Sequence, residues 1–180
     1  MSARVRLDDE DIVGVDLPES QGLFHHSTPV SADLQLENLE STKYNGHWEC
    51  LRTEGDFDGL LLAQRVGWFQ RKMASNLHYG AGHVKMQLTV SDDFQTIQVD
   101  TKAPLYSDHT TYPLDNSEFP TKSSAGKNIW VKLRWAGETI DAETEDGVHA
   151  SLFTRDAELV SEYTFKGVTA SNVWTKVAHG

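Results

Sequence analysis

The histidines of this chain are candidates for a metal site, because imidazole is a common metal ligand. The chain has eight histidines, and the closest pairs are His25 with His26 and His78 with His83. None of the eight has a cysteine or carboxylate partner at the spacing of a typical zinc site. The sequence therefore predicts no metal site.

Cys50 is the single cysteine, so the chain cannot form an intramolecular disulfide. Its place beside Trp48 in a predicted strand favours a buried, inert thiol over a nucleophile. The chain lacks a Gly-x-Ser-x-Gly motif and a phosphate-binding glycine-rich loop, and acid pairs such as Asp92 with Asp93 fall in predicted turns. We predict no catalytic residue and no cofactor, and we expect a cytoplasmic protein that is not an enzyme.

The charge of the chain argues against two classes of partner. It carries 27 acidic and 16 basic residues, for a formal net charge of -11, which opposes nonspecific binding to nucleic acid or to an anionic membrane. The longest apolar run, residues 60–63, is too short to span a bilayer, so we expect no stable membrane insertion. A length of 180 residues suits one folded domain with an appendage.

The predicted appendage is the segment 1–43, which holds nine acidic and three basic residues. Gly14, Gly22 and Pro29 interrupt any regular period, so we expect an irregular, acidic N-terminal extension. Disorder is the simplest expectation. The leucines and Phe24 of the segment leave a second hypothesis open, in which the extension docks to a protein partner.

The elements that must position any site begin at residue 44 and continue to residue 180. One strand surrounds Trp48 and is followed by two short helical segments, 56–65 and 68–74, which are separated at Gly67. Apolar and polar residues then alternate in strands at a spacing of roughly ten residues, with turn residues between them. This pattern predicts about ten antiparallel strands with a helix pair inserted after the first.

Short motifs accompany this order of elements: Gly46-His47-Trp48, Asp56-Phe57-Asp58, Val66-Gly67 followed by Arg71-Lys72-Met73-Ala74, and Lys166-Gly167-Val168-Thr169. Together they resemble the intracellular lipid-binding proteins of the calycin superfamily, that is, the fatty-acid-binding and retinoid-binding barrels. The resemblance covers about residues 44–177 and implies an all-β fold, a ten-stranded antiparallel up-and-down β-barrel capped by a helix-turn-helix lid. True lipocalins share the opening Gly-x-Trp but lack the helix pair, and so rank second.

The resemblance also implies a ligand cavity inside the barrel. Fatty-acid binders of this family hold the carboxylate with an arginine on the eighth strand and an Arg-x-Tyr pair on the last strand. Matching the last hairpin places Leu152 and Asn172-Val173-Trp174 at those positions. These neutral side chains cannot neutralise a buried carboxylate, whose unpaired burial costs several kcal/mol. Asn172 and the Trp174 ring nitrogen can instead hydrogen-bond a hydroxyl, carbonyl or amide.

The predicted site adds further positions to these. Period-two alternation from Asn172 and Trp174 brings in the facing strand, and the resemblance brings in the first helix and the portal. The full predicted ligand-binding set is Phe57, Leu61, Leu105, Leu152, Ser161, Tyr163, Asn172 and Trp174. An alternative stays open in which Tyr163 and Trp174 fill the barrel and no cavity survives. Arg71 and Lys72 are expected on the second helix, facing solvent.

The function that these observations favour is a carrier for a hydrophobic small molecule, such as a neutral, fatty-acid-like or retinoid-like lipid or a pigment. It would lack the usual arginine clamp. The alternative is a structural or assembly subunit with a filled barrel that docks through residues 1–43. Removing that segment discriminates between the two, since only the second function depends on it.

Overall fold

The computed structural model of the chain describes residues 43–104, 106–123 and 125–178. The predicted extension therefore falls, apart from Lys43, outside the described residues. The predicted portal residue Leu105 also lies outside them.

Ten antiparallel strands form one sheet that curves into a nearly closed barrel, which confirms the predicted all-β class and the strand count. In spatial order the sheet runs β4-β3-β2-β1-β10-β9-β8-β7-β6-β5, so that β4 and β5 end it. The strands are β1 (Gly46–Gly55), β2 (Lys85–Val90), β3 (Thr96–Ala103), β4 (Tyr106–Pro113), β5 (Asp115–Lys122), β6 (Asn128–Trp135), β7 (Ile140–Thr144), β8 (His149–Arg155), β9 (Glu158–Phe165) and β10 (Val168–Val177).

Two short helices, α1 (Phe57–Ala63) and α2 (Trp68–Asn76), follow β1 and confirm the predicted helix pair. The side chain of Asp56 caps α1, because its Oδ1 accepts a hydrogen bond from the Gly59 backbone N–H at 2.8 Å. A 3₁₀ turn, His78–Gly80, leads from α2 towards β2. Among the described residues, no helix is long and apolar enough to cross a bilayer.

An ion pair joins the two helices. Arg71 on α2 donates to Asp58 on α1 at 2.7 Å, and the Arg71 side chain is only 16% exposed. The expectation that Arg71 faces solvent is therefore wrong, because a carboxylate 13 residues earlier draws its guanidinium between the helices. Lys72 is exposed, as expected.

Side-chain alternation along the strands sets the inner face of the barrel. In β6, for example, Ile129 and Val131 are buried while Trp130 and Lys132 between them are exposed. A bulge at Leu51 interrupts the pairing of β1 with β10 and leaves that leucine exposed. In regular strands such as β2 and β6, alternation thus separates inward-facing from outward-facing positions.

The barrel is packed solid in the region around Tyr44. Its side chain is fully buried, its hydroxyl donates to the backbone carbonyl of Glu138, and its ring meets the edge of Trp135 with centroids 5.6 Å apart. Trp48, Leu88 and other buried side chains belong to the same cluster. A smaller cluster of Leu60, Phe165 and Ala170 lies where α1 packs on the sheet. The interior therefore has a filled region and a region beside the helices where packing is looser.

Candidate functional site

A cavity of about 550 Å³ lies inside the barrel next to the helix pair. This volume falls within the range typical of small-molecule sites. Because this cavity is present, Tyr163 and Trp174 do not fill the whole barrel. The structure therefore lacks the filled interior on which the hypothesis of a structural or assembly subunit was based. The cavity is bounded by α1, α2, the turn between β3 and β4, and the inner faces of β6 to β10.

Small and branched apolar side chains form most of the cavity wall. The helices contribute Leu60, Leu61, Ala74 and Leu77, and strands β6 to β8 with the turn before β8 contribute Ile129, Val131, Ala142, Val148 and Ala150. Alanines at inward-facing positions leave space that larger residues would occupy, which is why the cavity survives here. Such a wall suits an apolar ligand.

An aromatic contact fixes the lid to the cavity wall. Phe57, the first residue of α1, stacks on Tyr79 with centroids 5.3 Å apart and an interplanar angle of 15°. Phe57 also contacts Tyr163 of β9, with ring centroids 6.5 Å apart and an interplanar angle of 60°. All three residues line the cavity. A ligand that enters would therefore pack directly against the contacts that hold α1 in place.

Asn172 of β10 supplies a buried amide at the same wall. Its Nδ2 donates to the backbone carbonyl of Tyr79 at 3.1 Å and lies 3.5 Å from Cys50 Sγ. Tyr79 has a left-handed backbone, with φ of 52°, which turns its carbonyl back towards the barrel. The amide thus ties the 3₁₀ turn that follows the lid to the last strand.

The ionisable groups beside Asn172 are held neutral at physiological pH. Burial raises the pKa of the Cys50 thiol, although the hydrogen bond from Asn172 offsets part of that effect. Burial also raises the pKa of the Tyr163 phenol, and the nearby Ser161 hydroxyl acts in the opposite direction. A neutral thiol that is fully buried is inert, as the sequence predicts.

The charged side chains of the cavity lining lie at its rim. Lys122 at the end of β5 and Asp146 in the turn before β8 are exposed, as is His83. No arginine is among the described residues that line the cavity. The inner wall is therefore apolar or neutral, and full charges meet water.

The structure brings four of the eight predicted site residues together at the cavity: Phe57, Leu61, Tyr163 and Asn172. Leu105 lies outside the described residues. The other three, Leu152, Ser161 and Trp174, face inward but are not among the described residues that line the cavity.

The physical reason for this difference is that those three residues pack in the filled part of the barrel. Trp174 Nε1 donates to Ser161 Oγ at 2.9 Å, and both side chains are buried. Leu152 packs against the main core cluster. Their polar groups are satisfied within the protein, so they form a floor behind the cavity.

Sequence reasoning missed several lining residues, most clearly Tyr79 and Ala142. The Gly80-Ala81-Gly82 run after Tyr79 signals a tight turn that can return the chain to the barrel. Ala142 follows Ile140 at period two on β7, so alternation alone would have placed it on the inner face.

Among the described residues, no group of three or more histidine, cysteine, aspartate or glutamate side chains is placed to hold a metal ion.

Comparison with known proteins shows a shared fold. No protein-family model matches the chain. No curated protein matches it either. Among solved structures, the REP1-NXSQ fatty acid transporter is similar with a TM-score of 0.66 at 15% identity, over 77% of this chain and 99% of that one. A mutant of that transporter gives a TM-score of 0.65 at 16% identity, over 76% and 99% of the two chains.

The fatty-acid-binding protein 1 of Echinococcus granulosus is similar as well, with a TM-score of 0.62 at 18% identity over 76% of this chain and 99% of that one. The barrel therefore spans nearly the full length of these proteins. At such identities the likeness establishes the architecture, and what this barrel holds has to be argued from its own residues.

Proposed function

We propose that the protein is a noncatalytic carrier that encloses an uncharged hydrophobic small molecule in the barrel. The observation that carries this proposal is the cavity of about 550 Å³ with an apolar, neutral inner wall. The fold supports the same class of function, since the similar solved structures are named as a fatty acid transporter and a fatty-acid-binding protein.

The preference for an uncharged ligand follows from the inner wall. A carboxylate buried beside Asn172 would meet an amide whose N–H groups point at Tyr79 and Cys50. Without a cation, the cost of removing that charge from water is several kcal/mol and stays uncompensated. Lys122 stands at the exposed rim and cannot neutralise a charge at the inner wall without leaving solvent. The ligand should therefore be a lipid alcohol, amide or similar neutral compound.

Burial of the ligand's chain supplies the affinity. Each methylene contributes about 0.8 kcal/mol, so a dodecyl chain contributes about 10 kcal/mol before association costs. Those costs are roughly 4 kcal/mol or more, which leaves a dissociation constant on the order of tens of micromolar. Hydrogen bonds at the inner wall should lower this dissociation constant further.

A displacement titration with Nile red, an uncharged fluorescent dye, tests the proposal. Dodecan-1-ol should release the dye from the wild-type protein in the micromolar range. Ala150→Phe places an aromatic ring inside the cavity and should abolish binding of both compounds. Ala136→Phe adds the same ring at an exposed turn and should leave binding unchanged.

Two results would contradict the proposal. One is a failure of the wild-type protein to bind the dye or any apolar competitor at tens of micromolar. The other is equal binding by the wild type and by Ala150→Phe, which would place the dye on the surface.

A further inference from the structure

Asn172 presents different chemistry from the two ends of its amide. We propose that its Oδ1 selects, among neutral hydrophobic ligands, those that carry a hydrogen-bond donor, such as an alcohol or a primary amide. This inference rests on the proposed carrier function and names the ligand class within it. It assigns to Asn172 the role of the specificity-determining residue.

The orientation of the amide is fixed by its backbone partner. The carbonyl oxygen of Tyr79 can only accept a hydrogen bond, so the atom 3.1 Å from it must be the N–H-bearing Nδ2. The second Nδ2 contact, 3.5 Å to Cys50 Sγ, faces the same protein interior. Both donor hydrogens are therefore directed at the protein and away from the cavity.

The acceptor end is left for the ligand. Asn172 lines the cavity, and Oδ1 makes no hydrogen bond to any described residue. Among the described residues, Arg71 Nε is the only fully buried side-chain nitrogen or oxygen that lacks a partner. Because Oδ1 lacks a partner too, it cannot be fully buried. Oδ1 consequently opens onto the cavity as an unsatisfied acceptor.

An acceptor at the inner wall discriminates by chemistry. An alcohol O–H or an amide N–H can donate to Oδ1, whereas an ether, ester or ketone cannot. A carboxylate at neutral pH also lacks a donor and adds its own negative charge. The nearby Trp174 N–H, one donor that could serve a ketone, is already bound to Ser161. A ligand without a donor would desolvate Oδ1 and leave it unpaired.

A matched ligand series tests this inference on the unmodified protein. The series compares dodecan-1-ol, dodecyl methyl ether and dodecanoate by Nile red displacement at neutral pH. The alcohol should bind about tenfold more tightly than the ether, the loss expected for one unmet hydrogen bond at a buried acceptor. Because the ether has one more carbon, apolar burial alone predicts the opposite order. Dodecanoate should bind more weakly than the alcohol as well.

Variants locate the preference at one residue. Asn172→Leu keeps a similar size without an acceptor and should remove the alcohol preference, so that the ether binds at least as well. Ser161→Ala removes a hydroxyl that does not line the cavity and should keep the preference. Tyr163→Phe removes a hydroxyl from the cavity lining while Asn172 stays in place, and the ratio of alcohol affinity to ether affinity should persist there too.

Each outcome decides a separate point. Equal affinities of the wild type for alcohol and ether would overturn the inference while leaving the carrier proposal intact, whereas displacement by none of the ligands would overturn both. Loss of the preference in Tyr163→Phe, or its retention in folded Asn172→Leu, would move the selecting group away from Asn172. If Asn172→Leu does not fold, the wild-type and Tyr163→Phe ratios still decide.

Discussion

Substitution of Trp174 by phenylalanine separates the packed floor of the barrel from its ligand site. The indole Nε1 donates to Ser161 Oγ at 2.9 Å, and neither side chain is more than 8% exposed. Trp174→Phe removes this donor and leaves the serine oxygen buried beside an apolar ring. It also leaves a void where the second ring of the indole was.

Both effects can be given a magnitude. Loss of the donor to a buried hydroxyl oxygen costs about 1–3 kcal/mol of unfolding free energy. A void the size of part of an indole ring costs about 1–2 kcal/mol more. We therefore expect Trp174→Phe to lower the free energy of unfolding by about 3 kcal/mol. Ser161→Ala should cost less, because it leaves an unpaired indole N–H but almost no void.

A double-mutant cycle by urea denaturation measures the coupling. The double variant Trp174→Phe/Ser161→Ala removes both partners, so it should be less destabilised than the sum of the single variants, by about 1–2 kcal/mol. Trp130→Phe is the matched control, since Trp130 is half exposed and should cost little. Additive single effects would refute the hydrogen bond.

The same variant also tests where the ligand lies. Because Trp174 is not among the described residues that line the cavity, the affinity for dodecan-1-ol should change less than about threefold in folded Trp174→Phe. A tenfold or larger loss of affinity at full folding would place the indole in the ligand site and refute the geometry.

Three further predictions follow from other parts of the barrel. Gly55→Ala should destabilise the protein by about 2 kcal/mol more than Gly82→Ala in urea denaturation. Both glycines have positive φ, but a Cβ at Gly55 would lie 2.5 Å from a backbone carbonyl oxygen, whereas a Cβ at Gly82 would meet nothing within 4 Å. Equal costs of the two substitutions would contradict this prediction. Arg52 lowers the pKa of the Glu158 carboxyl, so the stabilisation is present above that group's unfolded pKa of 4.5 and is lost as the pH falls through the folded pKa. Glu158→Gln should therefore be less stable than the wild type at pH 7, with a deficit that shrinks as the pH falls below 4.5, and a deficit that does not change with pH would refute the ion pair. Asp58→Asn should speed amide hydrogen exchange in α1 and α2 about fivefold with β10 unchanged, whereas unchanged helices would mean that the interhelical ion pair does not hold the lid.

The fold could be predicted because its signals are local and repeated. Alternation of apolar and polar residues, as in β6, is enough to predict a strand. The residues around Asp56 likewise predict where α1 begins, because Asp56 caps it. Turn residues every ten positions then leave an antiparallel meander as the natural arrangement. These features do not depend on distant parts of the chain.

The site could be predicted only in part because alternation gives the face of a residue and not its depth in the barrel. Asn172 and Trp174 are two residues apart and both face inward, yet the first lines the cavity and the second is part of the packed floor. Which of the two meets a ligand depends on neighbouring side chains, such as Ser161 on the adjacent strand, which accepts the Trp174 N–H, and the small Ala150 of the cavity wall.

Long-range partners account for the other differences. Arg71 lies on an exposed helix, and its burial depends on Asp58 of the neighbouring helix. Tyr79 reaches the cavity because two successive residues, His78 and Tyr79, adopt positive φ. Non-glycine residues seldom adopt that conformation, so propensity gives no warning of it. The amide of Asn172 also bonds the carbonyl of Tyr79, so it helps to hold this turn against the cavity wall.

The central claim, that the interior of the barrel holds the ligand, is tested most directly by nuclear Overhauser effects between dodecan-1-ol and the isotope-labelled protein. We predict contacts from the alkyl chain to Ala150, Val148 and Tyr163 at the cavity wall. Contacts confined to Trp68 and Phe69, which are 71% and 69% exposed on α2, would place the ligand on the outside of the lid and contradict the account.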